Sequence, residues 1–176
     1  MLSYSKGPDI RLLEETISEA FLKTAKRFPS HDALIVRHQG VRLTFVQLAV
    51  EVEGVARGLT GLGLGAGDRI GVWSTNCVEW VLLHLACARV GVELVNVNPA
   101  YRAYELAFVL RKSGMKALFL LEKDTRSDYR AILREAMAGQ TLPLQHVVYF
   151  GTNSWSQMLD QGKEIPSRAA SPGRRR

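Results

Sequence analysis

A run of glycines, Gly61-Leu62-Gly63-Leu64-Gly65-Ala66-Gly67, is the first stretch whose residue types could do chemistry. Positions 61 to 66 fit G-x-G-x-x-A, a permitted form of the dinucleotide fingerprint, in which glycines let a pyrophosphate reach a helix N-terminus. That chemistry needs a strand before the run and a helix after it. Here the order is reversed: a helical stretch precedes Gly61 and a β-prone one, Ile70 to Ser74, follows. The glycines are therefore predicted to stop a helix and turn the chain into a sheet.

Other reactive types give less. Cys77 sits at a predicted helix start, where the dipole lowers a thiol pKa; without a recognisable partner it reads as a small buried side chain. The four histidines (His31, His38, His84, His146) form no i, i+4 pair for a metal, and His84 reads as a satisfied core or interface residue. Glu122, Lys123, Asp124, Arg126 and Asp128 mix signs along one short stretch, as a solvated turn does. Trp73, Trp80 and Trp155 read as packing residues. No G-x-x-x-x-G-K-[ST] loop and no G-x-S-x-G elbow occurs. No catalytic, cofactor-binding or metal-ligating residue is assigned.

The elements that would position such groups are legible from spacing. Thr16 and Glu19 have capping-box spacing and open a helix that Pro29 ends, with Ile17, Ala20, Phe21 and Thr24 on one face. Ala33 to Phe45 reads as a hairpin turning at Gln39-Gly40. Thr44 and Gln47 form a second capping box, opening a helix to about Leu59. From Asp68 strands and helices alternate. Strands are predicted at Ile70–Ser74, Leu94–Val97, Ala117–Leu121 and His146–Phe150. Helices are predicted from Asn76 to Gly91, with Asn76 as cap, then from Ala103 to Gly114 and Ser127 to Ala138. Strands separated by helices of this length build βαβ units and a mainly parallel sheet. The fold class is α/β: a partial doubly wound sheet with flanking helices, preceded by a helix and a β-hairpin.

Composition limits the function classes. The 176 residues are 47% apolar and 23% charged, a globular balance. The net charge of +6 owes four arginines to the last nine residues (Arg168, Arg174, Arg175, Arg176). Without them 19 basic residues face 17 acidic ones, so the body has no electrostatic footprint for nucleic acid. Cys77 and Cys87, predicted to lie ~15 Å apart along one helix, are beyond disulfide reach. No stretch approaches the ~20 apolar residues of a membrane span. The start, MLSYSKGPDI, shows neither a signal peptide nor an organelle presequence. These features predict a cytoplasmic protein, or a mitochondrial one if a presequence lies outside this chain. Residues 1–166 are expected to form one unit, and 167–176 a disordered basic tail.

Three motifs in series, G-D-R-I-G at 67–71, N-x-x-E-W at 76–80 and N-P-x-Y-x-x-x-E-L at 98–106, carry a resemblance. With SYSKG near the start and VLRKSGMKAL after them, the chain resembles the amino-terminal part of the adenylate-forming acyl-CoA synthetases. It is similar above all to the medium-chain and broad-range fatty-acyl-CoA ligases of the acyl-CoA synthetase family member 2 group. The likeness runs from about Ser3 to Gly162. It implies a two-step ligase: a fatty acid attacks the α-phosphate of ATP to give an acyl-adenylate and pyrophosphate, and coenzyme A then displaces AMP. Full-length members use ATP, Mg²⁺ and coenzyme A.

The family's phosphate loop, T-S-G-T-T-G-x-P-K-G, is not in this sequence; Gly151-Thr152-Asn153-Ser154 lacks its repeated glycines and lysine. What carries over is scaffold: Asn76 as a cap, Gly91 as a helix end, and Asn98-Pro99 as the turn into the Tyr104-Glu105-Leu106 helix. The expectation is an amino-terminal portion of a fatty-acyl-CoA ligase, inactive alone, binding no cofactor by itself, with possible self-association through uncovered sheet surface. Two alternatives stand beside it: a small nucleotide- or dinucleotide-binding α/β module, and a non-catalytic partner of a full-length ligase.

Overall fold

The computed structural model describes residues 5–11, 13–139 and 141–166. The expected tail, 167–176, lies outside the described residues, as does Ser3 of the family-like start.

Helix α1 (Ile17–Arg27) begins where Thr16 and Glu19 close their capping box, Thr16 Oγ1 accepting from Glu19 N–H and Glu19 from Thr16 N–H. Strands β1 (Asp32–Val36) and β2 (Val41–Thr44) form an antiparallel pair joined by a 3-10 turn at Arg37–Gln39. Gly40 ends that turn at φ +66°. Thr44 and Gln47 then cap α2 (Phe45–Gly61).

The main sheet contains β3 (Arg69–Trp73), β4 (Glu93–Asn96), β5 (Ala117–Leu120) and β6 (His146–Tyr149) in the order β4-β3-β5-β6, all parallel. Helices α3 (Val78–Val90), α4 (Ala103–Ser113), α5 (Tyr129–Met137) and α6 (Asn153–Lys163) connect or follow these strands. Gly91 and Gly114 end α3 and α4 in the left-handed conformation.

The two-residue strand period sorts the core into two layers. Ile70, Val72, Ala117, Phe119 and Val148 face α2, α3 and α6. Trp73, Leu118 and Leu120 face α4 and α5 with Leu106, Leu110, Tyr129 and Leu133. Helices on both faces define a doubly wound sheet. The sheet faces expected to stay open are thus covered, because α2 and α6 complete the layer that α3 begins.

What remains open is an edge. Glu93 N–H donates to the Asp68 carbonyl just before β3 and Val97 N–H to the Val72 carbonyl within it, which leaves the backbone groups of Leu94 and Asn96 pointing away from the sheet. The opposite edge is closed locally. Tyr149 N–H donates to Ser154 Oγ (2.9 Å) and Tyr149 carbonyl accepts from Thr152 Oγ1 (2.8 Å). The turn entering α6 therefore occupies both edge groups of Tyr149.

Candidate functional site

Strand β3 leads to α3 on one face of the sheet, while β4 leads to α4 on the other. Chains that part in this way open a crevice at the carboxyl ends of their strands, where ligands of doubly wound sheets bind. The crevice is a cleft of about 560 Å³ walled by Ser74–Asn76 and Trp80 on one side and Asn96–Pro99 on the other.

Its walls are set by side chains reaching across elements. Trp73 Nε1 donates to the Asn98 carbonyl (3.1 Å), and Asn98 Oδ1 accepts from Ala100 N–H (2.9 Å), so the Asn98-Pro99 turn is fixed to β3. Ser74 Oγ donates to the Thr75 carbonyl and lies 3.4 Å from Cys77 Sγ. The lining contains hydroxyls, amides and one indole but no ionisable side chain. Such a wall can orient a ligand by hydrogen bonding and stacking; it supplies no general acid or base.

The start of α3 departs from the sequence expectation. Asn76 is exposed and does not cap the helix; Cys77 is the N-cap residue and makes no side-chain cap bond. The cap comes from the hairpin, thirty-nine residues upstream in chain order. Gln39 Oε1 accepts from Val78 N–H at 2.7 Å, and Gln39 Nε2 donates to Glu79 Oε2 at 3.0 Å. One neutral amide thus satisfies a first-turn backbone donor and orients the first-turn acid. No local pattern announces this, because the partners meet only when the hairpin folds over α3.

Burial decides the cysteines. The Cys77 thiol is pushed up by burial, partly offset by its hydrogen bond with Ser74. Burial pushes Cys87 up to about 12. Both are free and buried, as small core side chains. Trp80 stacks on His84 with ring centroids 5.4 Å apart and planes 4° from parallel. Contrary to expectation, His84 is not fully satisfied: its Nδ1 is buried with no hydrogen-bond partner among the described residues. No group of three or more His, Cys, Asp or Glu placed to hold a metal occurs among the described residues.

At the opposite, amino ends of the strands, the glycine run does what its order in the chain predicts. Leu62, Gly63 and Leu64 N–H return to Gly58, Thr60 and Leu59 carbonyls of α2. Gly65 N–H donates to Asp68 Oδ2 (3.0 Å), and Gly67 N–H to the Gly91 carbonyl (3.0 Å). Those donors are committed to closing the α2–β3 turn, where a phosphate cradle would need them aimed at a ligand.

The mixed-charge stretch after β5 is more than a solvated turn. Asp124 Oδ1 accepts from Arg126 and Ser127 N–H (2.8 and 2.9 Å), and Oδ2 accepts from Tyr129 Oη–H (2.8 Å). The Arg126 N–H bond leads in holding the Asp124 carboxyl below its usual range, and Tyr129 and Ser127 add to it. Tyr129 is fully buried, its ring edge-on to Trp73 at 4.7 Å. Burial, then the Asp124 bond, pushes its phenol up. Arg102 Nη1 donates to Ser127 Oγ (2.9 Å), tying the β4–α4 loop to this turn. The Asp-to-Ser spacing of an Asx turn was the available signal.

Set beside known proteins, this architecture matches part of the AMP-binding enzymes. Residues 21–173 match the AMP-binding enzyme family, and the chain belongs to it. Curated relatives include the mitochondrial medium-chain acyl-CoA ligase ACSF2 of Rattus norvegicus, 44% identical over 135 residues covering 76% of this chain and 22% of the relative. The putative acyl-CoA synthetase YngI of Bacillus subtilis (strain 168) is 31% identical over 159 residues, 84% of this chain and 29% of its own. Among solved structures, the fatty acyl CoA synthetase of Mycobacterium tuberculosis superposes with a TM-score of 0.77 at 23% identity, over 90% of this chain and 30% of that one. A putative long-chain-fatty-acid CoA ligase from Rhodopseudomonas palustris gives 0.75 at 28%, over 90% and 39%. The chain spans less than a third of the curated relatives' length.

Proposed function

We propose that this chain supplies the amino-terminal scaffold of an ATP-dependent fatty-acyl-CoA ligase. The reaction of the whole protein joins fatty acid and coenzyme A at the expense of ATP, giving acyl-CoA, AMP and pyrophosphate. The identity to medium-chain ligases supports an aliphatic carboxylate as the activated substrate. ATP, Mg²⁺ and coenzyme A are cofactor and co-substrates of that whole reaction, not of these residues alone.

One observation carries the second half of the reading, that the 176-residue chain does not catalyse by itself. The strand-end cleft has no ionisable lining, and the donors of the glycine run and of Val78 are already committed inside the chain. Adenylation develops charge on a transferring phosphoryl group and needs preorganised donors or cations aimed at it. The purified chain is expected to show no ATP–pyrophosphate exchange with octanoate or palmitate. Exchange above the no-acid blank would sink this reading. For compartment, the mitochondrial location in the relatives' name supports the mitochondrial alternative; imaging of the tagged chain would test it.

A further inference from the structure

Among the described residues β4 is an end strand of the main sheet. Its outward backbone groups belong to two residues, Leu94 and Asn96, on either side of Val95. Asn96 is exposed, and Leu94 and Val95 are half-buried. The strand carries none of the devices that keep an edge from pairing: no lysine, no proline and no bulge interrupts Glu-Leu-Val-Asn. The other edge differs. His146 and Phe150 N–H point back at the β5 side, so Val147 and Tyr149 face outward on β6, and Tyr149 is already occupied by Thr152 and Ser154. Val147 is left as a single free residue, too little for a strand pairing.

We infer that β4 pairs antiparallel with β4 of a second copy of this chain, about a twofold axis through Val95. The register follows from the spacing. Antiparallel strands exchange N–H···O=C bonds between directly opposed residues whose groups face the gap. Setting Val95 opposite its own counterpart puts Leu94 of each copy opposite Asn96 of the other. Two outward donors and two outward acceptors in each copy then meet completely, in four hydrogen bonds. The side chains favour self-pairing over a foreign strand. Val95 lies on the α4–α5 side of the sheet and meets its counterpart at the close, non-hydrogen-bonded position, an apolar pair that finishes covering both. Glu93 falls opposite Val97, so no like charges face each other across the axis. Each copy has one such edge in its main sheet, and an isologous contact occupies it, so the assembly closes at two. This pairing is independent of the reaction that the whole ligase performs.

The test is sedimentation velocity of the whole chain over a range of concentrations, with amide hydrogen exchange followed at each one. A reversible monomer–dimer equilibrium is expected, with exchange at Leu94 and Asn96 N–H slowing as the dimer fills. Asn96→Pro removes an outward N–H that makes no bond within its own sheet, so the chain keeps its ladder. It takes away two of the four bonds between copies and puts a ring into the gap, and dimerisation should weaken about tenfold or more. Should that variant not fold, the wild-type exchange profile decides alone. Protection at Leu94 and Asn96 that rises with concentration supports the pairing, and protection that rises elsewhere instead overturns it. A chain that stays monomeric up to about 1 mM would overturn it too. So would a dimer that Asn96→Pro leaves intact, or growth past the dimer to larger species.

Discussion

Two sets of glycines in this chain behave in opposite ways. The run from Gly61 to Gly67 draws the eye in the sequence, yet a Cβ added at Gly63, Gly65 or Gly67 would meet nothing within 4 Å. Gly58 and Gly162 attract no notice, lying inside helical stretches, and they are where the backbone is crowded. A Cβ on Gly162 would fall 2.6 Å from Gly58 N and 2.9 Å from the Arg57 carbonyl carbon. Helices α2 and α6 cross there with no side chain between them. Gly58 itself faces Met158, which would lie 3.1 Å from a Cβ. The lesson is that glycine density marks turns, whereas isolated helical glycines mark close approach.

Gly162→Ala is the harshest test of that contrast. Its clash is with backbone, so no rotamer change relieves it and the helices must separate. Overpacking costs about 1–3 kcal/mol, and this position belongs at the upper end. Urea denaturation should show it as a lowered midpoint; an unchanged midpoint would mean the crossing is looser than described. Gly71→Ala should follow closely, because its Cβ would press on Met115 and sit 2.9 Å from Leu118 Cδ1. Those are side chains that can shift, and the smaller penalty measures how far they give.

The next effect separates local from distant capping. Gln39→Ala removes the acceptor for Val78 N–H and the donor to Glu79, and should cost about 1 kcal/mol, in the range of N-cap losses. Asn76→Ala should cost less than half of that, since Asn76 makes no cap bond. Hydrogen exchange at Val78 reads the same difference residue by residue: faster in the Gln39 variant, unchanged in the Asn76 variant. Reversal of that order would restore the local cap suggested by the sequence.

These cases define what the sequence disclosed. The capping boxes at Thr16/Glu19 and Thr44/Gln47, the glycine stops at Gly91 and Gly114, and all four parallel strands rest on patterns within one or two turns of chain, and each forms within a residue or two of its expected limits. The Gln39–Val78 cap, the Arg102–Ser127 tie and the Gly58/Gly162 crossing join residues 25 to 104 positions apart, where no short-range pattern exists to be read. The Asp124–Tyr129 bond was legible in spacing but hidden by charge: neighbouring Lys123 and Arg126 made a half-buried acceptor look like a solvated one.

That turn gives the pH-dependent prediction. Asp124 has a folded pKa below its ordinary value, so it binds fewer protons folded than unfolded near that value. Its contribution is complete above the unfolded pKa, near 3.9, and is lost as pH falls through the lower folded value. Asp124→Asn should flatten the acid limb of stability below about pH 4. Tyr129→Phe should flatten it only partly, because the backbone donors of Arg126 and Ser127 remain. An acid limb identical to wild type in the Asp124 variant would assign acid sensitivity elsewhere.

The smallest expected effect bears hardest on function. Gly65 has an ordinary φ and open space around its Cβ position, and its N–H is engaged by Asp68 Oδ2. Gly65→Ala should therefore change stability by no more than about 0.5 kcal/mol, with a slight gain from the stiffer unfolded chain. If the run gripped a pyrophosphate, Gly63 would make the close backbone approach and Gly65 would be an unconstrained position of G-x-G-x-x-A, so both the wild-type chain and the variant would bind nucleotide. Wild-type chain and Gly65→Ala are expected to give the same null result in an NAD or ATP titration. Saturable nucleotide binding by the wild type, with shifts centred on Gly63, would return the phosphate role to the Gly61–Gly67 bend, against the hydrogen bonds that close it.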